Sequence, residues 1–325
     1  MPLTDLPLDA LTSYHPDLPE PEGFDAFWRE TLEEARAHPG EARLTPVDDP
    51  LLATVDVHDV RFPGWRGEPV AAWLLTPREA PRPLPAVVEF LGYSGGRGRP
   101  TDRLLRSAAG YAHLVVDSRG QGHDTPDRGE GDGTQWVEGL MTRGIEDPRR
   151  HYYRRLMTDC VRAVDCARTL PGVDPGRVVV AGSSQGGGLA LAAAGLAPEL
   201  VAGALIDVPF LCHFRRGAEI ASDGPYTELV SYLRVHRQAG AAGAFATLGH
   251  FDGVHFASRA TAPALFSVGL MDPVCPPSTV YAAYHRYAGP RDIRVWEFGD
   301  HGGGYLAQAP EQLRWLREQG LGPKG

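Results

Sequence analysis

The sequence predicts an α/β sandwich whose central sheet is mostly parallel and flanked by helices. From residue 84 onward, six short segments are apolar on both faces, which is typical of strands in a covered parallel sheet. Helical segments separate them, and this alternation favours parallel βαβ units. The predicted strands are 86–91, 112–117, 177–182, 201–207, 264–269 and 293–298. The predicted helices are 101–109, 150–170, 186–196, 278–288 and 308–319.

Two further features precede this alternating region. Residues 1–40 form an N-terminal extension, predicted to be an extended arm followed by an amphipathic helix that ends at Pro39 and Gly40. The segments 54–62 and 70–75 then show strand patterns on either side of a turn rich in glycine and proline. We expect these two segments to pair as antiparallel strands.

Residues 208–260 interrupt the alternation, because they carry helical and loop patterns but no convincing strand. This stretch predicts a helical insertion over the edge of the sheet, and we interpret it as a lid rather than an independent domain. The 325 residues are therefore expected to fold as a single domain that carries the extension and the insertion.

The composition excludes several classes of protein. The 32 basic and 41 acidic residues give a net charge of -9 without a basic cluster, so no nucleic-acid partner is expected. No segment approaches the ~20 consecutive apolar residues of a transmembrane helix, and the N-terminus lacks a secretory signal pattern. The four cysteines form no C-x-x-C pair. We therefore expect a cytoplasmic protein that has no membrane partner and no disulfide framework.

The strongest local signal for chemistry is the G-x-S-x-G pattern at 182–186, with Ser184 at its centre. It follows an apolar strand and precedes a helical run, which is the context of a nucleophile elbow. Glycine and serine also fill tight turns that have no chemistry, but the strand and helix on either side favour a catalytic serine.

A serine hydroxyl needs an oriented base, and in this architecture the base follows the acid in the chain. His301 comes directly after the last predicted strand and is the expected base, whereas His285 lies within a helical run. Asp272 follows a strand and precedes a proline, so we expect it to be the acid. Asp207 and Asp300 are weaker candidates for the acid. Asp207 comes directly after the strand and helix of the nucleophile, and Asp300 is adjacent to the histidine, whose ring a neighbouring residue rarely reaches.

An oxyanion hole needs two N–H donors. The residue after the nucleophile, Gln185, is expected to supply one, and Tyr93 in the glycine-rich loop after an early strand is the natural source of the second.

His250 and His255 are possible metal ligands, but the sequence offers no convincing further ligand beside them. We therefore expect no metal and no organic cofactor.

These motifs together resemble the carbohydrate esterases of family seven, called acetyl xylan esterases and cephalosporin C deacetylases. Arg119, Gly120 and Gln121 are similar to the R-G-Q signature of that family, and 182–186 is similar to its G-x-S-Q-G motif. Further similarity lies in the N-terminal segment 1–28 and in the blocks 207–216 and 269–284. The likeness spans nearly the whole chain.

The resemblance implies an α/β-hydrolase fold and a Ser-His-Asp triad. It also implies deacetylation of small acetylated carbohydrates, such as xylo-oligosaccharides, and of related acetyl esters such as cephalosporin C. It implies a homohexamer whose sites face an internal cavity, and a structural ion pair at Arg119. Two positions depart from the family pattern, since Leu91 stands where a histidine is usual and Gly302 where a glutamate is usual.

The sequence leaves several functions open. A serine peptidase of the prolyl oligopeptidase type shares the order of the triad, although residues 1–80 are too short for its usual propeller. An esterase for a different small acyl ester and a non-catalytic binding protein of the same fold also fit the pattern. Phe210 and Tyr226 in the insertion are candidate walls of a substrate pocket, although aromatic residues there more often serve simple packing.

Overall fold

The computed structural model describes residues 3, 5–48, 51–129, 137–236 and 240–324. Its strands are β1 (Arg43–Val47), β2 (Val55–Pro63), β3 (Pro69–Pro77), β4 (Leu84–Phe90), β5 (Ala112–Val116), β6 (Val173–Ser183), β7 (Gly203–Asp207), β8 (Ala264–Gly269) and β9 (Arg291–Trp296). They form one sheet in the order β1-β2-β3-β5-β4-β6-β7-β8-β9. The strands from β5 to β9 in this order run parallel, and β1, β2 and β3 add antiparallel strands at one edge.

The sheet confirms the predicted strands and adds one. All six predicted parallel strands are present, and the predicted antiparallel pair is β2 with β3, joined in register from Val55 opposite Pro77. β1 was not predicted; it pairs with β2, with Arg43 opposite Arg61. Its sequence contains Pro46 and its side chains are largely exposed, so it has no apolar pattern that reveals a strand.

Helices cover both faces of the sheet. They are α1 (Leu8–Leu11), α2 (Phe24–Arg36), α3 (Leu104–Ala108), α4 (Tyr152–Ala167), α5 (Gln185–Leu196), α6 (Phe214–Ile220), α7 (Tyr226–Val235), α8 (Ala241–Gly249), α9 (Gly253–Ala257), α10 (Pro277–Arg286) and α11 (Gln308–Glu318). The largest apolar core lies between the sheet and α2, α4 and α5, and a smaller one lies under α11. None of the helices in the described ranges combines the length and apolar character needed to cross a bilayer.

The insertion at 208–260 folds as the four helices α6 to α9 in its described part, and residues 237–239 lie outside that part. α9 packs against α5 and α10, so the insertion is joined closely to the helix that follows the nucleophile candidate. Its role as a lid stays a prediction.

A buried ion-pair cluster joins the loop after β5 to α4. Arg119 is 0% exposed, and its Nε lies 2.7 Å from a carboxylate oxygen of Asp159 in α4. Glu68 also contacts the guanidinium, and Asp127 lies 3.7 Å away. These carboxylates raise the pKa of Arg119 above its usual range despite burial. Asp159 also accepts the Trp65 N–H at 2.8 Å, so one cluster holds three separate segments together.

Replacing Arg119 tests how much this cluster stabilises the fold. Arg119→Met leaves the Asp159 carboxylate buried without its cation, so we expect the free energy of unfolding to fall by about 3–5 kcal/mol. Arg36→Met, which breaks the surface pair with Asp165, is the control and should cost less than about 1 kcal/mol. Urea denaturation measures both. Equal effects for the two variants would contradict the anchoring role.

Candidate active site

The candidate nucleophile lies at a sharp turn between a strand and a helix. β6 ends at Ser183 and α5 begins at Gln185, so Ser184 alone connects them. Its backbone has φ 58° and ψ -122°, a conformation that residues with side chains rarely adopt. The Ser184 N–H donates to the Asp207 carbonyl at 3.0 Å, and the Ser184 carbonyl accepts from the Phe210 N–H at 2.9 Å. These bonds fix the strained turn at the carboxyl edge of the sheet.

The glycines of the motif are required by close packing of the backbone. A side chain at Gly186 would collide with the carbonyl oxygen of Phe90 at the end of β4. A side chain at Gly182 would collide with the backbone of Gly186 itself. The turn can therefore form only because both positions lack a Cβ atom.

His301 and Asp272 form a hydrogen-bonded chain with the serine. Nε2 of His301 lies 2.9 Å from Oγ of Ser184, and Nδ1 of His301 lies 2.9 Å from Oδ2 of Asp272. Asp272 follows β8 and His301 follows β9, so both come from loops at the carboxyl ends of parallel strands. The structure thus brings together the three residues that the sequence predicts as nucleophile, base and acid. With Nδ1–H donated to the carboxylate, Nε2 can accept the serine proton.

The acid is oriented by the backbone around it. Asp272 is 1% exposed, and its Oδ1 accepts the N–H groups of Val274 at 2.8 Å and Cys275 at 2.9 Å. Oδ2 is thereby directed towards His301. The two weaker candidates have other partners, since Asp207 binds Ser267 at 2.9 Å and Asp300 binds residues of its own loop.

Hydrogen bonds to Asp300 hold the loop that carries His301 in its conformation. Oδ1 of Asp300 accepts the Gly302 N–H at 2.9 Å and is also bonded by the Tyr305 hydroxyl. The loop lies on the indole of Trp296, with which a side chain at Gly304 would collide. Gly304 therefore lets the loop pack on the end of β9, whereas a side chain at Gly302, the position where the family resemblance implies a glutamate, would collide with the Tyr305 ring.

Two free N–H groups lie beside the nucleophile turn. Within the described ranges, neither the Tyr93 N–H nor the Gln185 N–H has a hydrogen-bond partner, so both remain available to an oxyanion. The Gln121 side chain connects their loops, because its Oε1 accepts the Ser94 N–H at 2.6 Å and its Nε2 donates to the Gln185 side chain at 2.9 Å. Gln121 of the R-G-Q signature thus holds the two loops together, and Gly120 provides the turn before it, with φ +67°.

The insertion contacts the same loop through a residue that the sequence did not reveal. Glu228 of α7 accepts the Tyr93 hydroxyl at 2.8 Å, and its other oxygen accepts the Met141 N–H at 3.1 Å. Burial raises the pKa of Glu228. A surface cavity of about 350 Å³ opens beside these groups, lined in part by Tyr93, Gln121 and Leu140. No sequence pattern connects residues so distant in the chain, so only the fold shows this part of the site.

The structure corrects the expectation for the two aromatic residues of the insertion. Phe210 and Tyr226 are both 0% exposed, and their rings pack 4.5 Å apart, centroid to centroid. The Tyr226 hydroxyl donates to the Cys212 carbonyl at 2.7 Å. A side chain without accessible surface cannot line an open pocket, so both residues pack in the main apolar core. Leu91 is likewise buried, in an apolar cluster with Leu75 and Val115 among others.

Two residues of the triad and a neighbouring cysteine have the spacing of metal ligands. The ligand atoms of Asp272, Cys275 and His301 lie within 4.8 Å of one another. Burial raises the pKa of the Cys275 thiol well above its usual range. Both oxygens of Asp272 and both ring nitrogens of His301 already have partners. The group fits a hydrogen-bonded triad better than a metal site.

The family follows from comparison with known proteins. The sequence model described as acetyl xylan esterase (AXE1) matches residues 1–319. The chain belongs to this acetyl xylan esterase family. An acetyl xylan esterase structure from Paenibacillus sp. R4 is 39% identical, covers 96% of this chain and 99% of its own, and superposes with a TM-score of 0.91. Acetyl xylan esterase 1 from Thermoanaerobacterium sp. JW/SL YS485 is 32% identical, covers 97% and 99%, and gives a TM-score of 0.89.

A more distant relative extends the family likeness. Acetyl esterase Axe7A of Xylanibacter ruminicola is 26% identical over 304 residues, which is 92% of this chain and 67% of that protein. The two acetyl xylan esterase structures confirm the predicted α/β-hydrolase fold. As a member of the acetyl xylan esterase family, the chain is a carboxylic ester hydrolase.

A substitution at Gly186 tests whether the packed turn is needed for catalysis. Gly186→Ala should displace the turn from β4, and a shift of about 1 Å at the reacting group is expected to lower kcat about 10²-fold or more. Gly243→Ala is the matched control, because a Cβ there meets no atom within 4 Å. It should keep full activity and gain about 0.5–1 kcal/mol in helix stability. Hydrolysis of 4-nitrophenyl acetate, together with thermal unfolding, measures both. Full activity in Gly186→Ala would contradict this account of the motif.

Proposed function

We propose that this esterase removes acetyl groups from small acetylated carbohydrates, such as xylo-oligosaccharides, through a covalent acyl-enzyme on Ser184. The observation that carries the proposal is the unbroken chain of two 2.9 Å contacts from Ser184 through His301 to Asp272. The substrate class is supported by the acetyl esters named for its relatives. Cephalosporin C, a related acetyl ester, belongs to the same proposal through the family resemblance.

The proposed reaction has two halves. His301 accepts the Ser184 proton as the hydroxyl attacks the acetyl carbonyl, and Asp272 stabilises the imidazolium that forms. The N–H groups of Tyr93 and Gln185 stabilise the tetrahedral oxyanion, and the proton then passes from His301 to the departing sugar oxygen. In the second half, water activated by the same histidine attacks the acetyl-serine, and acetate leaves.

Removing the nucleophile tests this function. Ser184→Ala should lower the release of acetate from acetylated xylo-oligosaccharides by at least about 10⁴-fold, because the acyl-enzyme cannot form. Acetate released by wild type and by the variant is measured directly, and far-UV circular dichroism checks that the variant is folded. If the wild type hydrolyses a synthetic acetyl ester but releases no acetate from the sugars, its natural substrate is a different small acyl ester. Release of an arylamide but not of an acetyl ester would favour a peptidase.

A homohexamer in the cytoplasm is part of the same proposal. The family resemblance implies the hexamer, and exposed apolar side chains beside the base loop support an interface there. Phe298 is 77% exposed and Leu306 is 92% exposed. The four cysteines are free, which agrees with a reducing compartment.

Sedimentation velocity tests the assembly. We expect a species of six chains at micromolar concentration, and Phe298→Glu with Leu306→Glu should shift it towards smaller species, because both changes place charge in the proposed interface. The matched control is Leu8→Glu, a substitution at an exposed leucine of α1. A wild-type protein that sediments as a monomer would contradict the hexamer.

A further inference from the structure

The hydroxyl group of Tyr93 lies where three separate parts of the chain meet. It donates to Oε1 of Glu228 in α7 at 2.8 Å and accepts the Leu140 N–H at 2.6 Å. Oε2 of the same glutamate accepts the Met141 N–H at 3.1 Å. One carboxylate of the insertion therefore joins the loop after β4 to the segment 137–142.

The backbone at Gly139 leaves room for this carboxylate. A Cβ atom there would collide with the carboxyl group of Glu228, and the residue has φ +111°, which side chains rarely allow. Each oxygen of Glu228 accepts a hydrogen bond, as an ionised carboxylate does. Because hydrogen bonds to a charged acceptor are stronger than those between neutral groups, the Tyr93 hydroxyl is held firmly.

The backbone of Tyr93 belongs to a tight turn that determines where its N–H lies. The Gly95 N–H donates to the Gly92 carbonyl at 2.9 Å, so Tyr93 and Ser94 are the central residues of the turn. Ser94 has φ 59°, a conformation that costs free energy in a residue with a side chain. Such a turn persists only where its surroundings hold it. The bond from Ser94 to Gln121 is one such contact, and the side chain of Tyr93 supplies another.

The side chain of Tyr93 is held at its ring as well as at its hydroxyl. The ring packs edge-on against Phe210, with the centroids 6.3 Å apart, and the Phe210 N–H donates to the Ser184 carbonyl. A tyrosine side chain has only two rotatable bonds. Fixing both the ring and the hydroxyl therefore restricts the backbone that carries the N–H.

We propose that Glu228 is a positioning residue for the oxyanion hole, which it serves by holding Tyr93 through the hydroxyl so that the Tyr93 N–H faces the oxyanion. This inference rests on the proposed function, because that N–H has a role only in acyl transfer at Ser184. The insertion then contributes to catalysis through α7. An oxyanion donor stabilises the transition state more than the bound ester, so its displacement should lower kcat and change KM little.

The test compares Glu228→Gln, Tyr93→Phe and the double variant with wild type. Glutamine keeps the size of the side chain, but its amide nitrogen cannot accept a hydrogen bond, so the contacts with Tyr93 and Met141 cannot both form. Phenylalanine keeps the ring and removes only the hydroxyl. The matched control is Glu219→Gln, because Glu219 is an exposed glutamate of α6 in the same insertion.

Two measurements separate positioning from substrate binding and from folding. Hydrolysis of 4-nitrophenyl acetate gives kcat and KM, and thermal unfolding gives the Tm. Inhibition by trifluoroacetone reports on the oxyanion hole directly. In the adduct, Oγ of Ser184 bonds to the carbonyl carbon, His301 takes the serine proton and the carbonyl oxygen becomes the oxyanion.

Each single variant should lower kcat about tenfold or more, up to the ~10²–10³-fold cost of losing one oxyanion donor. KM should stay within about twofold, and trifluoroacetone inhibition should weaken by the factor by which kcat/KM falls. The double variant should be at most about twofold worse than the less active single variant, because both changes break one contact. Glu219→Gln should behave as wild type.

Wild-type kcat in either single variant, or multiplied effects in the double variant, would overturn the positioning role. So would a loss of activity that only follows a loss of folded protein, which would make Glu228 a structural residue. Ser184→Ala distinguishes this inference from the proposed function. If Ser184→Ala is inactive and the Glu228 variant is fully active, the proposed function stands and the inference fails. If Ser184→Ala is as active as wild type, the proposed function fails and the positioning role fails with it.

Discussion

The close approach of two backbones at Gly186 and Phe90 is the constraint on which the active site depends. β4 and β6 are neighbours in the sheet, with Phe90 opposite Gly182, so the end of β4 meets the turn that carries the nucleophile. The loop after β4 must then leave the sheet beside the N-terminus of α5. The N–H groups of Tyr93 and Gln185 consequently lie on either side of that contact. A register error at this strand pair would move the nucleophile and its oxyanion donors apart.

The order of the strands determines where the other two members of the triad, Asp272 and His301, lie. β7 separates β6 from β8, and β9 lies beyond β8, so the acid and the base come from successive loops on one side of the nucleophile. Parallel strands place all these loops at one edge, and residues 29 and 117 positions apart meet within hydrogen-bond distance. Glu228 of the insertion contacts Tyr93 in the loop after β4, which lies on the other side of β6 from β7.

The sequence predicted the position of a residue well where that position depends on the residue's own strand. The six parallel strands, the elbow, Asp272 and His301 all occupy positions that local patterns mark, at or just after the ends of apolar segments. It failed where the role depends on distant neighbours. β1 lacks an apolar face. For Phe210 and Tyr226 the sequence left a pocket wall and simple packing both open, and they pack in the core. The contact of Glu228 with Tyr93 joins residues 135 positions apart. Propensity and periodicity carry no information about such pairs.

The triad joins parts of the molecule that differ in protection from solvent. The strand and helix around Ser184 belong to the main core, whereas the His301 side chain is 32% exposed and its loop is held by Asp300 at the surface. A local opening of that loop leaves the apolar core around Ser184 intact, so it requires less free energy than global unfolding. We therefore expect mild heating to separate His301 from Ser184 reversibly at temperatures where the core remains folded, so that an activity which needs this contact is lost before the fold is.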